Sequence, residues 1–341
     1  TQEATAEYWR EAPALSRTLL GPVAPRLRGK RLLVVVADGE LMYLPFGALP
    51  SPEAAAGTAP QTGAAPAPLI AQHLVVNLPS ASVLSALRQT TRRPTAKSVA
   101  VFADPVVEAD DPRIQEARRA APARKTAARR EELAQAVRDT GGEGDETKLS
   151  RLPASLREAR NILSIARGGP HLEAVSFDAN REKATDPRLG QYSIVHFATH
   201  GLLNEKHPEL SGLVLSLYDR EGRYREDGFL RLSDIYGLSL PVDLVILSAC
   251  RTGLGKEVRG EGLIGLTRGF MYAGASRVVA SLWQVDDEAT AELMKHFYLK
   301  MFKEGMPPAA ALRAAQLSMS GQRRWSNPYF WAGFMLQGEW R

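Results

Sequence analysis

The sequence predicts an α/β layered fold, a largely parallel sheet with helices on both faces. Three observations carry this. From residue 98 onward, short apolar runs alternate with amphipathic or small-residue helical patterns, as crossover units do. One run, "DLVILSAC" (Asp243 to Cys250), is apolar on successive residues, the pattern of a strand covered on both faces. The composition, 44% hydrophobic and 24% charged over 341 residues, is that of a globular chain able to bury a sizeable core.

Two units are expected, over 1–98 and 99–341. The first opens with a helix to about residue 30, broken by the glycines and prolines of "GPVAPRLRGK". "RLLVVVADGELMYLPFGALP" reads as strand, turn, strand: Leu32 to Val36, a turn at Asp38 and Gly39, then Leu41 to Leu44. An Ala/Pro/Gly-rich loop near 50–68 has little to bury, and "LIAQHLVVNLPSASVLSALRQ" adds a strand and a short helix capped by Ser80 or Ser82. The second unit begins with the strand "SVAVFADP". A basic insertion over about 106–150 follows, then the amphipathic helix "LPASLREARNILSIARGG". "YSIVHFATHG", "SGLVLSLY", "DLVILSAC" and "SRVVASLWQV" are further strands, and the small-residue stretch "GEGLIGLTRGFMYAGA" and two late segments are helices.

Composition also narrows the function classes. With a single cysteine there is no internal disulfide, which points to a reducing, cytoplasmic setting. No apolar run approaches the ~20 residues that span a bilayer, so no membrane partner is expected. The start "TQEATAEYWR" has no Met and no charged-then-apolar leader, as in a fragment cut from something longer. The net charge of +5 is concentrated in "RIQEARRAAPARKTAARREE", which mixes both signs and lacks aromatic residues. It reads as a solvated insertion rather than a nucleic-acid surface. No CxxC or HExxH spacing and no phosphate-binding loop with its lysine occur, so neither metal nor cofactor is expected.

In open α/β sheets, chemistry sits beyond the carboxyl ends of the strands. Two runs end there in reactive residues: His200 follows "SIVHFAT" and Cys250 closes "DLVILSA". A thiol with a pKa near ~8.5 needs a base to become a nucleophile at neutral pH, and an imidazole can take that proton and later deliver it to the leaving group. Either residue alone reads as core or cap; the pair at corresponding strand ends, fifty positions apart, points to a thiol–imidazole site.

The motifs "HFATHG" (His196 to Gly201), "LSACRTG" (Leu247 to Gly253), "GEGLIGLTRGFMYAGASRVVASLWQVDDEAT" (Gly260 to Thr290) and "NPYFWAGFMLQG" resemble the CHAT family, caspase-like clan CD cysteine peptidases related to separase. The resemblance implies a caspase-like layered fold preceded by a smaller α/β, pseudo-caspase-like subdomain. It implies that Cys250 is the nucleophile, that His200 is its base and that His196 is structural. Backbone N–H groups of Gly201 and Cys250 would hold the oxyanion, each such donor contributing about 3–4 kcal/mol. Arg251 stands where many relatives have Glu, and a cation there favours the thiolate. In "SLWQVDDEAT", Asp287 matches the residue that holds a basic P1 side chain in separase, with Asp286 beside it; the alternatives are a helix N-cap and an apolar P1. The implied activity is an endopeptidase acting on a protein or peptide substrate. It would be the protease part of a regulated bacterial signalling or defence system with an upstream sensor domain or activator protein, and it could cut its own basic insertion. The alternative is a catalytically silent CHAT-type interaction module.

Overall fold

The computed structural model describes residues 2–52, 66–90, 97–120, 149–203, 207–225, 227–248, 250–251, 261–283 and 285–340. Most of the Ala/Pro/Gly loop and residues 121–148 of the basic insertion lie outside them. Twelve strands are present among the described residues: β1 Leu32–Val35, β2 Leu74–Asn77, β3 Val99–Ala103, β4 His171–Val175, β5 Ile194–Ala198, β6 His200–Leu202, β7 Gly212–Val214, β8 Phe229–Arg231, β9 Leu244–Leu247, β10 Cys250–Arg251, β11 Arg277–Ser281 and β12 Phe334–Gly338. The longer helices are α1 Gln2–Leu20, α2 Ala81–Thr90, α3 Pro112–Ala120, α4 Pro153–Ile165, α5 Glu261–Tyr272, α6 Asp287–Phe302 and α7 Pro308–Ser320.

Eight strands form one sheet in the order β1-β2-β12-β11-β9-β5-β3-β4, and four form a smaller sheet, β10-β6-β7-β8. Every neighbouring pair of the large sheet is parallel except β11–β12. The carboxyl ends of β3, β5, β9 and β11 therefore share one edge. The strands β1 and β2 run with β12 in the opposite sense, so their amino ends lie at that edge.

The apolar runs behave as two-sided strands must. Every residue of β3, β5, β9 and β11 is buried. Val101, Ala198, Ile246 and Val279 pack with helices α4, α6 and α7 on one face, while Phe102, Phe197, Leu247 and Val278 pack with α5 on the other. Helix α4 presents Ser155, Glu158, Ala159, Ile162 and Ile165 to the sheet, a spacing of three and four residues that defines one helical face.

One expected strand is corrected. Leu41 to Leu44 forms no strand; Gly39–Tyr43 is a 3₁₀ turn, with the Asp38 side chain accepting a hydrogen bond from the Gly39 amide. Turn chemistry at Asp38 and Gly39, whose φ is +56°, outweighs a short apolar run whose Leu41 stays 41% exposed. At the start of α2, Ser80 takes the expected capping place, its Oγ accepting from the Val83 amide at 3.4 Å.

Candidate active site

Strands β5 and β9 are parallel neighbours, with Ile194 opposite Leu244 and Phe197 opposite Leu247. The chain steps out of the central sheet after each and enters the smaller one as β6 and β10. There the pairing is again parallel, with Cys250 opposite His200 and Arg251 opposite Gly201. An offset of fifty residues thus holds in both sheets, and the spacing in sequence becomes a direct cross-strand alignment. Strand β7 closes the other side of β6, placing Val214 opposite His200.

His200 is 4% exposed. Its Nε2 lies 2.7 Å from the carbonyl oxygen of Ser150. A carbonyl can only accept, so Nε2 carries the proton and Nδ1 presents a lone pair. That Nδ1 is buried and has no hydrogen-bond partner among the described residues. A buried polar atom without a partner is costly, which makes this nitrogen a candidate for contact with a reacting group.

Burial lowers the His200 pKa below the usual 6.5, and the Ser150 carbonyl opposes this only in part. The imidazole is therefore neutral at pH 7, the form that can receive a proton. In a Cys250→Ala variant, which removes the facing thiol-bearing residue of β10, His200 titrates below 6.5, as read from its ring resonances against pH. Because the folded pKa lies below the unfolded one, this group makes folding less favourable as pH falls through 6.5 towards the folded value. A His200 pKa at or above 6.5 in that variant contradicts the arrangement.

His196, the other histidine of the motif, points to the opposite purpose. It is fully buried in β5, with Nε2 2.8 Å from Glu158 Oε1 and Nδ1 3.1 Å from the Tyr298 hydroxyl. Burial, reinforced by the Glu158 charge, holds the Tyr298 phenol well above its usual pKa, so it remains a donor. Nε2–H donates to the carboxylate, Tyr298 O–H donates to Nδ1, and the ring is saturated. The line α4–β5–α6 is cross-linked by polar bonds inside an apolar layer.

Of the two acidic residues ahead of α6, Asp286 is the one that caps the helix. Asp286 is exposed and caps α6, its Oδ1 accepting from the Ala289 amide at 3.0 Å. Asp287 is half-buried. Burial raises its pKa first, then the charges of Asp286 and Glu158; Arg157 opposes them. It lies six residues beyond β11, whose Ala280 stands opposite Leu247 of β9. Asp287 thus begins the helix that follows β11, with like charges of Asp286 and Glu158 near its carboxylate.

Sequence reasoning missed the Ser150 carbonyl, Glu158 and Tyr298. A main-chain oxygen leaves no trace in residue type. Glu158 did leave one: a carboxylate on the apolar face of α4, in step with Ser155, Ala159 and Ile162. Among the described residues, no group of three or more His, Cys, Asp and Glu is arranged to hold a metal ion, and no helix is long and apolar enough to cross a membrane.

A family model of the CHAT domain matches residues 10–339. The chain belongs to the CHAT domain family. Over 109 residues, 32% of its length, this CHAT domain is 38% identical to tetratricopeptide repeat protein 28 of Homo sapiens and 36% identical to that of Mus musculus. The match spans 4% of either relative's length. Among solved structures it is similar to separase in the Saccharomyces cerevisiae separase–securin complex, with a TM-score of 0.48 and 13% identity over 89% of this chain and 15% of that one. It is also similar to the Arg-specific cysteine proteinase gingipain R, with a TM-score of 0.49 and 9% identity over 93% and 66% of the two chains. The caspase-like α/β layering expected for a CHAT domain, a mostly parallel sheet between helices, is the architecture found.

Proposed function

We propose that this CHAT domain is a cysteine endopeptidase acting through Cys250 and His200. The observation that carries the reading is the parallel pairing of Cys250 with His200 beside an imidazole whose Nδ1 is buried and unpartnered among the described residues. His200 Nδ1 takes the thiol proton, and the thiolate attacks the scissile carbonyl carbon. The resulting oxyanion is held by backbone N–H groups of Gly201 and Cys250. His200 then protonates the leaving amine, and water hydrolyses the acyl-enzyme with the same base. The bond from Nε2 to Ser150 fixes the ring through both proton transfers.

Asp287 is assigned to P1 recognition. A half-buried carboxylate whose charged form is disfavoured by Asp286 and Glu158 gains most from an arriving cation, which supports substrates with Arg or Lys at P1. The substrate is a protein or peptide, and an upstream sensor or activator protein is the expected control. Asp287→Asn lowers kcat/KM for P1 Arg substrates about tenfold or more and leaves P1 Leu substrates nearly unchanged. Equal losses for both contradict the assignment.

The test of the activity is cleavage of a P1-varied peptide library by the wild type and Cys250→Ala. Turnover confined to the wild type supports the peptidase. No turnover in either protein, together with a Cys250 inert to an electrophilic peptide, rejects it in favour of a silent interaction module.

A further inference from the structure

The residue that orients His200 is itself held by a buried ion cluster. Ser150 is exposed and lies outside any helix or strand. The next residue, Arg151, grips Asp104 with two bonds, Nε to Oδ1 and NH2 to Oδ2, each 2.8 Å. Asp104 directly follows β3 at the catalytic edge, where Ala103 stands opposite Ala198 of β5. Its carboxylate is 2% exposed. Its backbone amide donates to Ser155 Oγ at 3.0 Å, and that hydroxyl donates to the Leu152 carbonyl at 2.7 Å. The chain from Arg151 to Ser155 is therefore fastened to the end of β3 at two points, both belonging to Asp104.

Arg113 completes the cluster. Its NH1 reaches Asp104 Oδ2 and the Asp104 carbonyl, both at 3.0 Å, while Nε and NH2 hold Asp111 at 2.9 and 2.6 Å. Two carboxylates and two guanidinium groups balance in charge, as a buried set requires. The two arginines come from opposite sides of residues 121–148 in sequence and meet on one carboxylate. Asp104 adopts a left-handed backbone, with φ of +50°, which Asp and Asn tolerate better than other side chains. That conformation immediately before a proline is unusual, and local strain of this kind clusters at functional sites.

We propose that Asp104 and Arg151 are positioning residues for His200: they set the Ser150 carbonyl against Nε2 and so fix which imidazole nitrogen is free to act as the base. This rests on His200 being the base of the peptidase. Neither residue touches substrate. A misplaced carbonyl lets the ring rotate or exchange tautomers, and errors of about 1 Å in such a site cost up to ~100-fold in rate.

The test uses the whole chain, with histidine ring nitrogens labelled with ¹⁵N, comparing the wild type with Asp104→Asn and Arg151→Gln. Asparagine keeps the bulk and tolerates the left-handed backbone. Arg151, with a side chain 36% exposed, can be changed with little disturbance of packing should Asp104→Asn fail to fold. Arg220→Gln, which breaks the exposed pair with Asp178, is the control. In the wild type His200 shows one tautomer, protonated at Nε2. Both variants move its two ring signals towards each other, and kcat falls about 10–100-fold with KM changed less than twofold. Variants that lose stability yet keep the wild-type tautomer and kcat overturn the proposal. The ring signals are read without turnover, so an inactive wild type with a single tautomer that both variants scramble rejects the peptidase reading and leaves the positioning role standing.

Discussion

Replacing His200 by alanine lowers peptide cleavage about 10²–10⁴-fold, the range supplied by a positioned general base. The loss falls on kcat, because the imidazole acts on protons that move only during reaction. Two features make the effect large. The ring is buried and neutral, so it can accept the thiol proton. It is also held at Nε2 by Ser150, which leaves Nδ1 as the only basic nitrogen. The variant stays folded: the β5–β9 ladder and the β6–β7 pairing are main-chain bonds that do not involve the imidazole. His200→Ala turning over within tenfold of the wild type contradicts the assignment.

His196→Ala acts on the fold. It removes the His196 donor that meets Glu158 Oε1 and leaves a carboxylate 3% exposed within an apolar layer, with the Tyr298 hydroxyl unpaired from it as well. Leaving a buried carboxylate without its hydrogen-bond donor costs about 3 kcal/mol. Tyr298→Phe, which removes one hydroxyl and keeps the ring, costs about 1 kcal/mol. Urea unfolding of the two variants beside the wild type checks both values and their order. Folded His196→Ala that keeps near-normal kcat per native molecule separates this histidine from the proposed base, His200; a stability loss under 1 kcal/mol contradicts the buried network.

The two histidines illustrate what can be read from sequence. Both stand in "HFATHG", four residues apart, and composition treats them alike. What separates them is the strand period. His196 falls inside a five-residue apolar run and faces α4, whereas His200 comes after the run, where the chain crosses into the second sheet. The apolar runs made the parallel strands legible, and parallel neighbours made the shared edge legible. Strand β4, with His171 and Glu173 exposed at the sheet edge, carries too little apolar signal to be found. The Leu41–Leu44 segment carried enough signal to mislead, because its preceding Asp-Gly turn continued into a 3₁₀ stretch.

The site was legible in its side chains and opaque in its main chain. The sequence offered a helix cap at Asp286 or Asp287, and the structure places it at Asp286. Nothing in residue type said that the Ser150 carbonyl would meet His200, or that Asp104, legible only as a strand stop before a proline, would gather Arg113 and Arg151. Arg151 and Asp104 are 47 apart in sequence and His200 and Ser150 are 50 apart, so these two contacts exist only once β3, β5 and α4 have packed.

The partnership of His200 with Cys250 is tested most directly by the rate of Cys250 alkylation with iodoacetamide as a function of pH, in the wild type and in His200→Ala. The account predicts a wild-type thiol that reacts with an apparent pKa well below the usual ~8.5, and a variant whose profile returns to about that value. Superimposable profiles near 8.5 in both proteins would mean that the imidazole does not act on the thiol, and the dyad would be wrong.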